Sequence, residues 1–134
     1  MTGAAPSRAE RVGGWIATGL SVGIVLLHLF GGGPEIAEPL RASDLPDVVR
    51  ATSWMVWHMV TGQILVMAVL FAWATKARKP DVMLAATAMA LAFTIAGFWA
   101  VPALGVGFEI LPQGFFFLLV TVAGAIAWRS QRTV

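Results

Sequence analysis

Four long stretches without Asp, Glu, Lys or Arg divide the chain: Val12 to Gly33, Ala51 to Thr75, Val82 to Phe108 and Ile110 to Trp128. Each reaches about the 18 residues that a helix rising 1.5 Å per residue needs to cross a roughly 30 Å hydrocarbon core. The pattern predicts spans at approximately 13–31, 52–75, 82–101 and 111–128 within a single transmembrane domain, residues 1–134. The fold class that follows is all-α: a polytopic membrane protein, an antiparallel bundle of four transmembrane helices.

Composition sharpens this reading. Hydrophobic residues make up 58% of the chain and charged residues 12%, against about 25% charged in soluble domains. So short a chain hides only part of its surface on folding, and a soluble fold would leave much of that apolar excess in water.

Charge then sets the expected orientation. Arg8, Arg11, Lys76, Arg78, Lys79, Arg129 and Arg132 fall in the N-terminal tail, the second connection and the C-terminal tail, which four spans place on one side. Glu35, Glu38, Asp44, Asp47 and Glu109 fall on the other side, with Arg41 and Arg50. The positive-inside rule puts both termini in the cytoplasm. The basic balance is therefore a topology signal, and no nucleic-acid partner is expected. Trp15, Trp73 and Trp128 fall at the cytoplasmic ends, and Trp54, Trp57 and Trp99 at the opposite ends. That is an aromatic belt on both faces. The expected localisation is a bacterial inner membrane, the source being read from few lysines beside many alanines and arginines.

Local signals fill in the elements. "MTGAAPSRAER" reads as a short cytoplasmic tail; the apolar run after it is long for a signal peptide, and no small-x-small cleavage pattern precedes "PEIAEPL". Gly19 and Gly23 form a G-x-x-x-G pair, echoed by Gly14 and Thr18, and are expected at a close helix contact inside the bundle. The three glycines Gly31 to Gly33 are expected to end the first helix, with Pro34 preventing its resumption. Asp44 reads as an N-cap for the second helix, with Pro46 in its first turn and Asp47 at the positive end of the dipole. Pro80 and Asp81 open the third helix, Pro102 and the following glycines end it, and Pro112 sits in the first turn of the fourth.

Candidate chemistry is sparse. There is no cysteine, which excludes thiol catalysis, disulfides and cysteine-ligated metals. The only titratable groups inside the spans are His28 and His58, expected at matching depth near the external face and turned toward each other. Imidazole is a common metal and axial haem ligand, so these two are the candidate cofactor-binding residues. Glu109, at the start of the last helix, would complete a divalent-metal set with His28 and His58. The blander reading leaves each histidine neutral near the headgroups, bonded to a carbonyl or water. Met55, Met59 and Met67 share a row with Gln63, which with His58 suits monovalent copper or, equally, an irregular core. Glu35, Glu38 and Glu109 read as solvated charges or partners of Arg41 and Arg50. No nucleotide loop, Ser-His-Asp order, H-E-x-x-H or intramembrane carboxylate is present.

Several local features together resemble the YgdD-like family of small four-helix bacterial membrane proteins. They are His28 with Gly31 and Gly32, the Pro46-Asp47 helix start, Trp57-His58, and the Pro-x-Gly opening at Pro112 and Gly114. The first loop is longer here, and a triple glycine replaces a histidine-glycine step. The resemblance implies the fold and lends no activity.

The function expected from the sequence is that of an accessory or assembly partner of other membrane components, without catalytic machinery and surrounded by the lipid bilayer. The competing class is a haem b or metal protein using His28 and His58. A third class is small-molecule or lipid binding or permeation, resting on Ser21, Thr61, Gln63 and Thr94.

Overall fold

The structure is a computed structural model that describes residues 8–132. The N-terminal tail reading therefore falls largely outside the described residues. Helix α1 spans Arg8–Leu26 and runs on through two π-helical turns, Leu27–Gly31 and Gly33–Ala37, into the short α2, Glu38–Arg41. Helix α3 spans Asp47–Ala77, α4 Pro80–Leu104 and α5 Gln113–Arg132. Among the described residues there is no strand. Four helical stretches are long and apolar enough to cross a membrane: Arg11–Gly31, Asp47–Ala77, Pro80–Leu104 and Gln113–Arg132. Their apolar windows have mean hydropathies of 1.7, 1.8, 1.9 and 1.3, as expected of a multi-pass membrane protein.

Small residues set the helix spacing. Without a hydrophobic force between helices in lipid, association depends on close backbone approach. A Cβ on Gly97 of α4 would lie 2.7 Å from the Gly114 backbone of α5, so these two helices touch main chain to main chain. A Cβ on Gly13 of α1 would lie 3.1 Å from the Ala123 carbonyl oxygen of α5, and one on Gly14 would overlap Thr75 of α3. At Gly124 of α5 a Cβ would come within 2.5 Å of the Thr87 hydroxyl of α4 and 2.8 Å of the Phe71 ring of α3. Around these contacts the buried core combines Ile64, Met67, Phe71, Met83 and Val120 with alanines.

The expected contact at Gly19 and Gly23 is absent. Nothing lies within 4 Å of a Cβ at either position, because both point away from the core while Gly14, Ala17 and Ser21 turn toward it. Several glycine and small-residue rows run along α1, and only packing selects between them. The Gly23→Leu variant should keep its thermal stability in detergent, and Gly19→Ala should gain about 0.5–1 kcal/mol from helix propensity. A clear loss of melting temperature in either variant would contradict this placement.

Buried hydroxyls are satisfied locally. Ser21, Thr75, Thr87 and Thr94 each donate to the carbonyl four residues earlier, at 2.8, 2.7, 2.7 and 2.9 Å. Among the described residues this back-bonding leaves no buried hydroxyl without a partner, as an interior without water requires. The Thr94 and Thr121 hydroxyls also meet across α4 and α5 at 3.1 Å.

The ends depart from expectation in instructive ways. The glycines Gly31–Gly33 do not stop the helix; Gly32 takes right-handed helical angles, φ −68° and ψ −24°. Pro34 is accommodated within the second π-helical turn. A residue before proline is normally pushed out of the helical region by its own Cβ, and Gly33 has none. Helix α3 starts at Asp47 with Pro46 extended at φ −51°, ψ 139°, not at an Asp44 cap. Asp47 pairs with Arg50 at 2.5 Å, so the carboxylate at the helix start, not one of the loop glutamates, is the partner of this arginine. Helix α4 passes Pro102 and closes at Gly105, φ +66°. The turn after α3 bends at Arg78, φ 51°. There the Ala74 carbonyl accepts from the Arg78 and Lys79 amides and from Gln131 Nε2 at 3.2 Å, which fastens α5 to the end of α3.

Candidate functional site

The histidines belong to a cluster where the π-helical end of α1 meets the first half of α3. His28 lies flat against Trp57, with ring centroids 3.8 Å apart and planes inclined by 16°. Its Nε2 is 3.4 Å from the Trp57 carbonyl oxygen, an acceptor that also takes the Thr61 hydroxyl at 3.0 Å. Trp57 in turn covers Gly32, where a Cβ would sit 2.7 Å from the indole. One indole thus explains two features of the opposite chain segment: the stacked imidazole and the need for a residue without a side chain.

His58 has a different ring partner. Its side chain is exposed, and its ring meets Trp54 edge-on at 4.6 Å between centroids. The Arg41 guanidinium lies 6.0 Å from the Trp54 ring, the outer limit of a cation–π contact. Each imidazole is therefore paired with its own indole. With Nε2 of His28 turned to the Trp57 carbonyl, the nitrogen left for a ligand is Nδ1, which stacking on the indole face does not block.

The remaining candidates are scattered. Glu109 is exposed, and its carboxylate folds back over Gly107 in the turn between α4 and α5. Among the described residues no three His, Asp or Glu side chains gather as a metal-holding set, so Glu109 is not assembled with His28 and His58. The methionine row divides: Met67 is fully buried in the core while Met55 and Met59 face outward. Ser21, Thr61 and Thr94 spend their hydroxyls on carbonyls of their own helices. Gln63 differs from these. It is exposed at the middle of the apolar stretch of α3, and its amide has no hydrogen-bond partner among the described residues. With Met89, Ala92 and Phe93 it lines an open cleft of about 200 Å³ between α3 and α4.

The cleft follows from uneven packing along α3. Its buried residues are Ile64, Met67, Ala68, Phe71, Ala74 and Thr75, all in the second half. Residues 47–63 include none. That half is supported by the His28–Trp57 stack, the Gly32 contact, half-buried Val60 against the core, and the Arg50 guanidinium donating to the Ser43 carbonyl at 3.2 Å. The sequence names the two histidines readily; Trp57 as the partner of His28, and the uneven packing of α3, depend on which way each helix faces. No protein-family model, no curated protein and no solved structure matches the chain.

Proposed function

We propose that the protein is an accessory or assembly component of a bacterial inner membrane, acting by packing against other membrane-embedded helices and not by catalysis. The observation carrying this reading is the first half of α3, which has no buried residue yet carries two exposed polar side chains, His58 and Gln63, inside its apolar stretch. Lipid tails offer these groups no hydrogen bonds, whereas a neighbouring helix does. The histidine cluster serves as a clasp that sets the angle of this half-helix against α1.

The reading includes the antiparallel bundle with both termini cytoplasmic. Gly14 near the start of α1 meets Thr75 near the end of α3, and His28 meets Trp57, which supports opposite directions for these two helices. The basic residues of the α3–α4 turn and of both termini support a cytoplasmic side. Reporter fusions at Arg132 and within residues 42–46 are expected in opposite compartments; a shared compartment would overturn the topology. Kinship with the YgdD-like family belongs to the same proposal.

A photoactivatable residue at Gln63 tests the assembly role in intact membranes. A protein adduct is expected, and adducts to lipid alone would overturn the reading.

A further inference from the structure

We propose that the partner covering α3 is a second copy of the same chain, docked through a parallel two-fold packing of α3 on α3. This rests on the assembly reading above and names its occupant. The outward face of α3 carries Met55, Met59, Gly62, Val66, Val69 and Trp73, spaced by four and three residues in alternation. That is the heptad seam of two helices wound left-handedly about each other. Every side-chain-bearing member is at least 52% exposed. Gly62 has nothing within 4 Å of a Cβ, so its own fold does not require a glycine there, although the middle of such a seam favours one.

The polar residues select the partner. With Met59 and Val66 at the a positions of the seam, His58 occupies a g position and Gln63 the following e position. In a parallel pair, g of one helix faces the e of the other that lies five residues further on, and 58 to 63 is that interval. A two-fold axis along the membrane normal makes the contact twice, so both imidazoles and both amides gain a partner. Imidazole and amide each offer a donor and an acceptor, which makes the pairing self-complementary. The competing outward face, Gly19 and Gly23 on α1, offers small residues without polar groups to fix a register.

The absence of native cysteine makes the test direct. In membranes containing the full-length chain, oxidation of Met59→Cys or Val66→Cys is expected to give disulfide-linked dimers, and Gly23→Cys or Ile95→Cys monomers. Dimers through Gly23→Cys alone, or none at all, would overturn the proposal. In detergent, His58→Ala and Gln63→Ala should each raise the dimer dissociation constant about tenfold, since either removes both symmetric bonds. The double variant should be no weaker than the singles, and Gln63→Ala should leave thermal unfolding of the monomer unchanged. Independent, additive losses would overturn the pairing. The adduct at position 63 separates the two levels of the reading. An adduct of dimer mass supports both, an adduct with a different chain overturns the second copy and keeps the assembly role, and lipid adducts alone overturn both.

Discussion

The Gly97→Leu variant is expected to lose about 3 kcal/mol or more of stability, lowering its melting temperature in detergent by about 10 °C or abolishing accumulation in the membrane. The reason is the identity of the atoms in the way. A Cβ at position 97 would sit 2.7 Å from both the Cα and the amide nitrogen of Gly114. Side-chain tips rotate aside, but backbone moves only if α4 and α5 separate, and their separation opens the core around Phe117 and Val120. Gly114→Ala should be milder, because its nearest neighbours are the Phe98 ring and amide at 3.1–3.2 Å. Circular dichroism melts of the three proteins check the ranking. Gly97→Leu melting like the parent protein would mean that α4 and α5 are not in main-chain contact.

The Trp57→Ala variant is expected to unfasten the end of α1. Three consecutive glycines disfavour a helix by about 1 kcal/mol each relative to alanine, so the run Gly31–Gly33 holds its helical angles only with outside support. That support is the indole, which stacks on His28 and lies across Gly32. A stacked aromatic pair contributes about 0.5–1.5 kcal/mol beyond its buried area. With the area included, the loss comes to roughly 2 kcal/mol, or about 30-fold in the local opening equilibrium. Hydrogen exchange of the amides at 31–33 and 35–37 should accelerate by about that factor, while amides 64–75 keep their protection. Trp57→Phe should recover most of the protection by retaining a ring over Gly32. Unchanged exchange at 31–37 in Trp57→Ala would show that the π-helical turns are held by something other than the clasp.

These two variants also mark what a linear reading reaches. The spans were legible because charge is intolerable in hydrocarbon, so the gaps between Arg11 and Glu35, Arg50 and Lys76, and Asp81 and Glu109 outline three of the helices directly. The helix-starting prolines at Pro80 and Pro112 were legible for a similarly local reason, a missing amide at a place where it has no partner. Which side of α1 turns inward was not legible. Gly13, Gly14, Gly19 and Gly23 are equivalent as residues, and their roles diverge only through Thr75, Ala123 and Ala127 on other helices. The triple glycine was misread for the same reason. Its local preference is to end a helix, and a ring 24 or more residues further along the chain reverses the outcome. At the candidate site both histidines could be named from their position in apolar runs. Their division into a stacked, half-covered His28 and an outward His58 depends on the rotational setting of α1 and α3.

The fastening of α3 at one end has a mechanical meaning. The Gln131 amide and the Gly14–Thr75 contact fix this helix near Ala74, and its last buried residue toward the start is Ile64. From there to Asp47 the helix extends about 25 Å. Such a geometry is a lever with its fulcrum among Ile64, Met67 and Ala68, and rocking by 5° displaces the far tip by about 2 Å. A load applied at the tip is carried along a rigid rod to this fulcrum, while the cleft wall at Gln63, one residue from Ile64, hardly moves. The His28–Trp57 stack acts as a stay at mid-arm, so its stiffness sets how far the tip travels.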